Sequence, residues 1–370
     1  LGMVVPSNGA RVGGVLFPIV KSLAEAYGST PGPTAGRLGA FLVLMVYHCD
    51  MIVAAMFFTG NAANPLIASL ARQVTGIEIT YTTWALGAIV PAIASMAVIP
   101  FVLWRVRPPS ITRTPEAAEF AAVELGRLGP MTLPEKVMLG VFALTTTLYV
   151  TRSWHGVDYT VTALGGLGVL LLARVLTWDD VLGERSAWDS FVWYGAIFQM
   201  ARALGDSGVS RTFAQAVGGL TFGASWWAAL VVLLAIYLYA HYAFATITAH
   251  VSALFAPFAI VMIAAGVPPY LTVLSLGYLS TLGASLTHYG TTSSPIYYGA
   301  GYLSQGAWWR VGALVATVNA LVWGAFEMPR SEAILRLASI RSARLCKASI
   351  VKRSSIRLQD SQPIVDFGTS

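Results

Sequence analysis

The sequence predicts an all-α protein that crosses a membrane several times. Of its 370 residues, 56% are hydrophobic and only 11% are charged, whereas a soluble domain carries about a quarter charged residues. Apolar stretches also approach the roughly 20 residues that a helix needs to cross a bilayer. These stretches are Leu38–Phe58, Trp84–Trp104, Val137–Val150, Tyr159–Leu176, Trp226–Thr246, Val251–Ala265, Tyr270–Leu286 and Val311–Phe326. The shorter ones are tolerated where a helix is broken, tilted or buried among others.

The net charge of +6 fits the same class of protein. Basic residues collect at the ends of the apolar stretches and in loops, as the positive-inside rule describes. They include Arg105, Arg107, Arg113, Arg127, Lys136, Arg152 and Arg174. This placement argues against a nucleic-acid partner and for a lipid bilayer. The two cysteines, Cys49 and Cys346, do not indicate a disulfide framework.

Polar breaks interrupt four apolar segments, and they occur in two pairs. The first pair is "VVPSNGARVGG" (Val4–Gly14) and "FFTGNAANPLIASLA" (Phe57–Ala71). The second is "HYAFATITAHVSALFAPF" (His241–Phe258) and "LTHYGTTSSPIYYGAGY" (Leu286–Tyr302). Corresponding interruptions in two halves point to the binding site of a secondary transporter. The alternative is that the small residues serve close helix packing.

A broken helix has the chemistry that such a site needs. Its N-terminal amides lack partners and carry partial positive charge, which favours an anion. The carbonyls at the end of the preceding half-helix suit a cation such as sodium. Side chains of Ser, Asn and Thr complete either shell without placing a net charge in the bilayer.

Three other segments differ from the apolar stretches. Thr114–Gly129 reads as a helix lying along the membrane surface. Ser186–Leu220 has two short apolar arms around a Gly-Asp-Ser-Gly centre, which predicts a re-entrant helical hairpin, with a pair of surface helices as the alternative. Glu327–Ser370 reads as a basic, disordered or loosely interfacial tail.

Motifs along most of the chain resemble those of the divalent anion/sodium symporter family. They are "PSNGARVGGVLFPI", "FFTGNAANPL", "TWDDVLGERSAWDSFVWYG", "HYAFATITAHVSAL", "SLTHYGTTSSPIYYGAGY" and "WWRVGALVATVNALVWG", in the family's order over about residues 1–326. The chain looks closest to the bacterial citrate/succinate and tartrate/succinate exchangers and the plastid 2-oxoglutarate/malate translocators. The resemblance implies a transporter fold with broken helices and a re-entrant hairpin, built from inverted repeats.

The family binds its substrate at a Ser-Asn-Thr motif on the tip of each broken helix. By resemblance, Ser7 and Asn8 take the first two positions of the first motif, and Gly9 stands where Thr is expected. In the second repeat the matching residues are Ile247–Ala249, so most side-chain ligands of a second cation site are missing. The exchanger branch departs in the same repeat, which favours antiport over sodium symport.

The resemblance implies a set of substrate- and ion-binding residues. This set is Ser7, Asn8, Gly9, Thr59, Gly60, Asn64, Thr246, Thr248, His250, Thr291 and Thr292. The implied function is secondary active transport of small di- or tricarboxylates (malate, succinate, 2-oxoglutarate, tartrate or citrate) by an elevator-type mechanism, with exchange favoured. The alternatives are a sodium-coupled symporter and a non-transporting remnant of such a carrier.

We expect no cofactor, with sodium as the candidate coupling ion. The family implies a homodimer, in a bacterial inner membrane or, alternatively, a plastid inner envelope. The predicted organisation is a remainder of the N-terminal repeat (residues 1–104), a polar connection (105–136), a C-terminal repeat (137–326) containing the hairpin 186–220, and an atypical tail (327–370). We expect a truncated product that lacks upstream spans and a first hairpin, with a frame-shifted or misassigned tail.

Ionisable residues inside the apolar stretches are costly and therefore of interest. Asp50 reads either as a coupling or proton-sensitive residue or as a buried, hydrogen-bonded carboxylate. His48 lies two residues before it and does not share its helix face, so the two make a poor metal pair. Arg11 could attract an anion, extend its charged end to the membrane surface (snorkel) or pair with a carboxylate. His241, His250 and His288 read as pore or packing histidines, with His250 best placed to touch substrate.

An enzyme is the competing class of protein. The sequence has no Ser/His nucleophile in a Gly-flanked elbow, no metal-ligand cluster and no phosphate-cradling loop followed by Lys. We therefore predict a transporter and no enzymatic activity.

Overall fold

The computed structural model describes residues 8–115, 117–184 and 225–326, with residues 2, 188, 192, 199, 203 and 207 as isolated positions. Regular structure in these residues is helical throughout. The predictions for Ser7, for the hairpin 186–220 as a whole and for the tail 327–370 lie outside the described residues.

The first part of the chain forms five helices. They are α1 (Asn8–Arg11), α2 (Phe17–Ala26), α3 (Gly39–Met56), α4 (Ala63–Thr75) and α5 (Tyr81–Val106). A π-helical turn, Val12–Leu16, joins α1 to α2, so the described helical run extends from Asn8 to Ala26. The Phe17 amide donates to the carbonyl of Val12, five residues back. Pro18 explains this wider turn, because proline cannot donate and its ring clashes with the carbonyl four residues back.

The middle part contains four helices. They are α6 (Ala117–Leu128), α7 (Leu133–His155), α8 (Tyr159–Leu172) and α9 (Trp178–Gly183). Helix α6 confirms the helix predicted within the polar connection. Helix α8 stops four residues before the predicted end, because Arg174 adopts a left-handed conformation (φ 55°) that ends the helix. A capping box starts α9, where hydrogen bonds from Thr177 lower the pKa of Asp180.

The last part forms α10 (Trp226–Ala240), α11 (Ile247–Ala264), α12 (Pro269–Gly283), α13 (Ser294–Gly299) and α14 (Gln305–Phe326). Short 3₁₀ turns extend α10 over His241–Ala243 and α12 over Ala284–Leu286. Between α10 and α11, the backbone is extended at Phe244 and Thr246, which confirms a break in this apolar segment.

Among the described residues, five helical stretches are long and apolar enough to cross a membrane. They are Gly39–Met56, Tyr81–Val106, Trp226–Ala243, Ile247–Ala264 and Gln305–Phe326. Helix α8 is apolar but shorter. These stretches agree with the predicted multi-pass, all-α class.

The core lies where the first and last parts of the chain meet, around α3 and α12. Helix α3 packs against α2, α5 and α12, and every residue of α12 from Leu271 to Gly283 is buried. Trp84 and Trp323 each contact the ring of Tyr278 at 4.8 Å between centroids. Helix α4 packs against α11, and Phe17 of α2 contacts Tyr297 of α13. Each short helix after a polar turn therefore contacts the broken helix of the other part.

Candidate functional site

A buried arginine organises the start of the first broken helix. Arg11 is 1% exposed and forms an ion pair with Asp50 of α3 through its Nε atom. Its Nη1 atom donates to the carbonyl of Gly60 at 3.2 Å, and its Nη2 atom donates to Oδ1 of Asn8 at 2.8 Å. From the sequence alone, several roles were possible for Arg11. The structure shows one of them, the pairing with a carboxylate.

Polar atoms without a partner remain beside this ion pair. The Asn8 amide nitrogen and Oδ2 of Asp50 are buried and have no hydrogen-bond partner among the described residues. The amide nitrogen of Asn8 is thus able to donate to a further group, and its role in binding stays a prediction. Asp50 is a buried, hydrogen-bonded carboxylate, and a role for it in coupling stays a prediction. His48 faces Tyr47, at 5.1 Å between rings, rather than this network.

The connection from α3 to α4, residues 57–62, is here called turn 1. A Cβ on Gly60 would lie 2.5 Å from the carbonyl oxygen of Ala54, so only glycine fits there. Asn64 is fully buried, and its amide nitrogen donates to the carbonyls of Ala54 and Phe57, both at 2.9 Å. It thereby satisfies the carbonyl of Ala54 in the last turn of α3 and is a second donor to the carbonyl of Phe57, which also accepts from the Gly60 amide at 2.8 Å.

Turn 1 is also bonded to α12. The Asn61 amide nitrogen donates to Oγ1 of Thr281 at 2.9 Å and to Oδ1 of Asn64 at 3.1 Å. Oδ1 of Asn61 accepts from the amide of Ala63 at 2.7 Å. The side chains of Asn61 and Asn64 are thus engaged in holding the turn.

The connection from α12 to α13, residues 287–293, is here called turn 2, and its backbone matches turn 1. Gly290 takes the place of Gly60, and a Cβ there would collide with the carbonyl oxygen of Ala284. The amide of Ser294 donates to the carbonyl of Thr291 at 3.1 Å, as the amide of Asn64 donates to that of Asn61 at 3.3 Å.

Side chains hold turn 2 differently. The Thr291 amide donates to Oγ of Ser294 at 3.3 Å. Oγ of Ser294 lies 2.6 Å from the hydroxyl of Tyr47, a residue of α3. That tyrosine hydroxyl donates to the carbonyl of Ala284 at 3.2 Å. Turn 2 therefore depends on a side chain from the first part of the chain.

The second break places a threonine and two histidines near turn 2. Oγ1 of Thr246 accepts from the amide of Ala249 at 3.1 Å and caps α11. Nε2 of His241 bonds the carbonyl of Gly290 at 3.0 Å, and Nε2 of His250 bonds the carbonyl of Tyr237 at 3.0 Å. The two imidazole rings lie 4.7 Å apart. His241 thus contacts turn 2 as Arg11 contacts turn 1.

The structure brings the predicted residues into two groups. We call the first half-site Asn8, Arg11, Asp50 and turn 1, and the second half-site His241, Thr246, His250 and turn 2. Within turn 1, Thr59 is half-buried and interacts with Tyr81. The remaining predicted residues line these groups: Gly9 follows Asn8, Thr248 lies in the first turn of α11, and Thr291 and Thr292 belong to turn 2.

Sequence reasoning missed the residues that join the groups, Tyr47 and Thr281. A position-by-position match of the two turns gives the signal that points to them. In this match Ala54, Gly60 and Pro65 correspond to Ala284, Gly290 and Pro295, but Asn64 corresponds to the shorter Ser294. His288 accepts from the Trp309 indole at 3.0 Å, which fits the packing interpretation. In the described part of the chain, no three His, Cys, Asp or Glu residues are grouped to hold a metal ion.

Comparison with known proteins identifies the family. The profile described as "Sodium:sulfate symporter transmembrane region" matches residues 1–329. YflS of Bacillus subtilis, named as a proposed malate transporter, is 44% identical over 87% of this chain and 68% of its own length. Dicarboxylate transporter 1, chloroplastic, of Arabidopsis thaliana is 42% identical over 87% of this chain. The inner membrane protein YbhI of Escherichia coli is 32% identical over 87% of this chain and 68% of its own.

The chain spans 58% of the length of the Arabidopsis relative. The relatives include bacterial and chloroplast proteins. Both predicted locations, the bacterial inner membrane and the plastid inner envelope, therefore agree with the comparisons. The family and its relatives are transporters, which confirms the prediction that the chain is no enzyme. With the match running over residues 1–329, this multi-pass membrane protein belongs to the divalent anion/sodium symporter family.

Proposed function

We propose that this protein is a secondary active transporter that exchanges small dicarboxylates of the malate, succinate and 2-oxoglutarate class, with tartrate and citrate as further candidates. Relatives named as dicarboxylate transporters support the substrate class. The geometry that supports it best is the pairing of two half-sites, each combining the start of a helix with a glycine-centred turn.

The anion is held by neutral donors in this proposal. The amide nitrogen of Asn8 has no partner in the described part of the chain and lies in the first residue of a described helical run that continues to Ala26. Helix α11 presents its own N-terminus behind the Thr246 cap. Partial positive charge at two helix starts suits a ligand with two carboxylates. The ion pair between Arg11 and Asp50 adds no net charge to the site.

We favour exchange over sodium symport because fixed donors already occupy the oxygens that a sodium ion would use. Arg11 donates to the carbonyl of Gly60 and to Oδ1 of Asn8. His241 bonds the carbonyl of Gly290. When fixed groups replace the coupling cation, the carrier moves between its outward-facing and inward-facing states only with a substrate bound. This behaviour defines an exchanger.

An elevator-type movement is part of the proposal. The two turns are hydrogen-bonded across the core, through Asn61 and Thr281 on one side and Ser294 and Tyr47 on the other. This bonding supports a site that moves as one body. Homodimer formation stays a prediction from the family.

Counterflow in proteoliposomes tests the function. Vesicles loaded with unlabelled malate or succinate are given the labelled dicarboxylate outside, with sodium or with choline, and uptake is measured. We expect uptake that requires internal dicarboxylate and is equal in the two salts. Lactate, a monocarboxylate, serves as the control substrate and should not enter.

Two results would reject parts of the proposal. Uptake that needs sodium and no internal substrate would establish the symporter alternative, which the family description favours. Absence of exchange with all five carboxylates, in protein shown to be folded, would establish the non-transporting alternative.

A further inference from the structure

The hydrogen bonds of turn 2 form a chain with one consistent direction. The hydroxyl of Tyr47 donates its one proton to the carbonyl of Ala284. Its oxygen must therefore accept the proton of the Ser294 hydroxyl, 2.6 Å away. The Ser294 oxygen is then left to accept from the Thr291 amide. Every donor has one acceptor, and the chain connects the middle of turn 2 to the end of α12 through a residue of α3.

In turn 1, the corresponding helix-end carbonyl is bonded by Asn64, without a residue in the position of Tyr47. Asn64, which corresponds to Ser294, has two amide hydrogens and reaches the carbonyls of Ala54 and Phe57 itself. Ala54 corresponds to Ala284. A serine hydroxyl has one proton and a shorter reach, so Ser294 bonds Tyr47 and the carbonyl of Ala284 is satisfied by Tyr47. Tyr47 thus supplies the donor to the Ala284 carbonyl that an asparagine at position 294 would supply.

We propose that Tyr47 is a positioning residue that holds turn 2 in its binding conformation from the other repeat. The inference deepens the proposed function, on which it rests, by assigning to α3 the control of the second half-site. Tyr47 is buried, and its ring lies 5.6 Å from Tyr297 of α13 and 4.9 Å from Trp308 of α14. The ring is thus fixed by packing, and its hydroxyl acts on the turn.

Hydrogen exchange tests the positioning without relying on transport. Tyr47→Phe keeps the ring and removes the hydroxyl. We expect backbone amides in residues 287–297 to exchange about tenfold faster, with residues 57–64 unchanged, because a local opening of turn 2 becomes less costly. The matched control is Tyr278→Phe, which removes a buried tyrosine hydroxyl that donates to the carbonyl of Trp84 at 2.7 Å.

Transport by the same variants gives the functional test. We expect Tyr47→Phe to raise KM for the dicarboxylate about tenfold with little change in kcat, because a misplaced turn weakens binding. Tyr278→Phe should leave KM unchanged. If the wild-type protein does not exchange dicarboxylates, the proposed function fails, and hydrogen exchange still decides the role of Tyr47.

A second substitution tests whether the lost hydrogen bond to the Ala284 carbonyl causes the effect of Tyr47→Phe. Ser294→Asn in the Tyr47→Phe background should restore slow exchange and low KM, since asparagine can reach the Ala284 carbonyl as Asn64 reaches that of Ala54. If Tyr47→Phe cannot be recovered folded, recovery of the double variant supports the proposal. Unchanged exchange at turn 2 in Tyr47→Phe, an equal effect of Tyr278→Phe, or a double variant no better than Tyr47→Phe would overturn it.

Discussion

The two half-sites share a backbone and differ in what holds it. In both, a glycine passes close to a helix-end carbonyl, and a residue four positions later bonds back into the turn. The first half-site is held by an ion pair and by Asn61 and Asn64, and Asn61 is also bonded to Thr281 of α12. The second is held by neutral groups and by Tyr47 from another part of the chain. A turn can therefore keep its backbone while its side chains change, provided that its buried carbonyls remain paired.

The two half-sites also differ in the side chain that bonds the carbonyl of the central glycine, which is Arg11 at Gly60 and His241 at Gly290. Arg11 brings a permanent charge to Gly60, and Asp50 compensates it inside the bilayer. His241 brings an imidazole to Gly290 and, among the described residues, forms no ion pair. Since an uncompensated buried charge is far more costly than a lost neutral hydrogen bond, the half-sites should respond unequally to matched substitutions.

Breaking the ion pair should have the largest effect. Asp50→Asn leaves the Arg11 guanidinium buried without its counter-charge, which should lower the free energy of unfolding by about 3–5 kcal/mol. Thermal unfolding in detergent measures the loss, and dicarboxylate counterflow should fall with it. Rate and stability equal to wild type would show that the pair does not hold the first half-site.

The matched change in the second half-site is His241→Gln. It removes one neutral hydrogen bond to Gly290, so the expected cost is only about 1 kcal/mol. A larger loss for His241→Gln than for Asp50→Asn would break the contrast between a charged and a neutral half-site.

Replacing either glycine should affect the two half-sites equally. Gly60→Ala places a Cβ 2.5 Å from the carbonyl of Ala54, and Gly290→Ala places one against that of Ala284. Overpacking against backbone should cost about 3 kcal/mol in each, seen as loss of thermal stability. Gly165→Ala is the control, because its Cβ would meet open space in α8, and it should be neutral or slightly stabilising. Tolerance of alanine at only one turn would show that the backbones are not equivalent.

The sequence predicted the parts of this molecule that depend on local composition. Long apolar stretches became helices, and the segments around Thr59 and Thr291 became turns, because small and polar residues there end a helix. The π turn before Pro18 joins α1 to α2 in one helical run, which the local composition did not indicate. The predicted first break includes Pro6 and Ser7, which lie outside the described residues, so it stays a prediction, while Asn8 and Gly9 lie in α1.

Contacts between distant parts of the chain could not be predicted in this way. Tyr47 lies in an apolar stretch and has no local feature that separates it from a packing residue. Its role follows only from the shortness of Ser294 and from the packing of α3 against α12. Arg11 and Asp50 were each identified, but their pairing depends on the fold that brings α1 beside α3.

Asn64→Ser gives the first half-site the serine that the second half-site has at position 294, and so tests whether turn 1 needs its asparagine. Asn64→Ser removes the side-chain donor that satisfies the carbonyl of Ala54, whereas the carbonyl of Phe57 keeps its bond from the Gly60 amide at 2.8 Å. We expect a loss of about 2 kcal/mol in unfolding free energy, since each unsatisfied buried carbonyl costs about 1–3 kcal/mol, together with a higher KM. Asn319→Ser, at another buried asparagine on α14, should leave KM unchanged. A stable Asn64→Ser protein with normal KM would mean that turn 1 does not need its asparagine.

The helix cap of the second half-site should give the smallest effect. Thr246→Ala removes the oxygen that accepts from the Ala249 amide, at a cost of about 1 kcal/mol. Thr80→Ala removes the corresponding cap of α5, whose oxygen accepts from the Thr83 amide at the same 3.1 Å, and should cost as much stability. Only Thr246→Ala should also raise KM, by about threefold, because fraying of α11 weakens the partial charge at its start. Equal KM values in the two variants would remove the start of α11 from the binding site and leave substrate binding to the first half-site and turn 2.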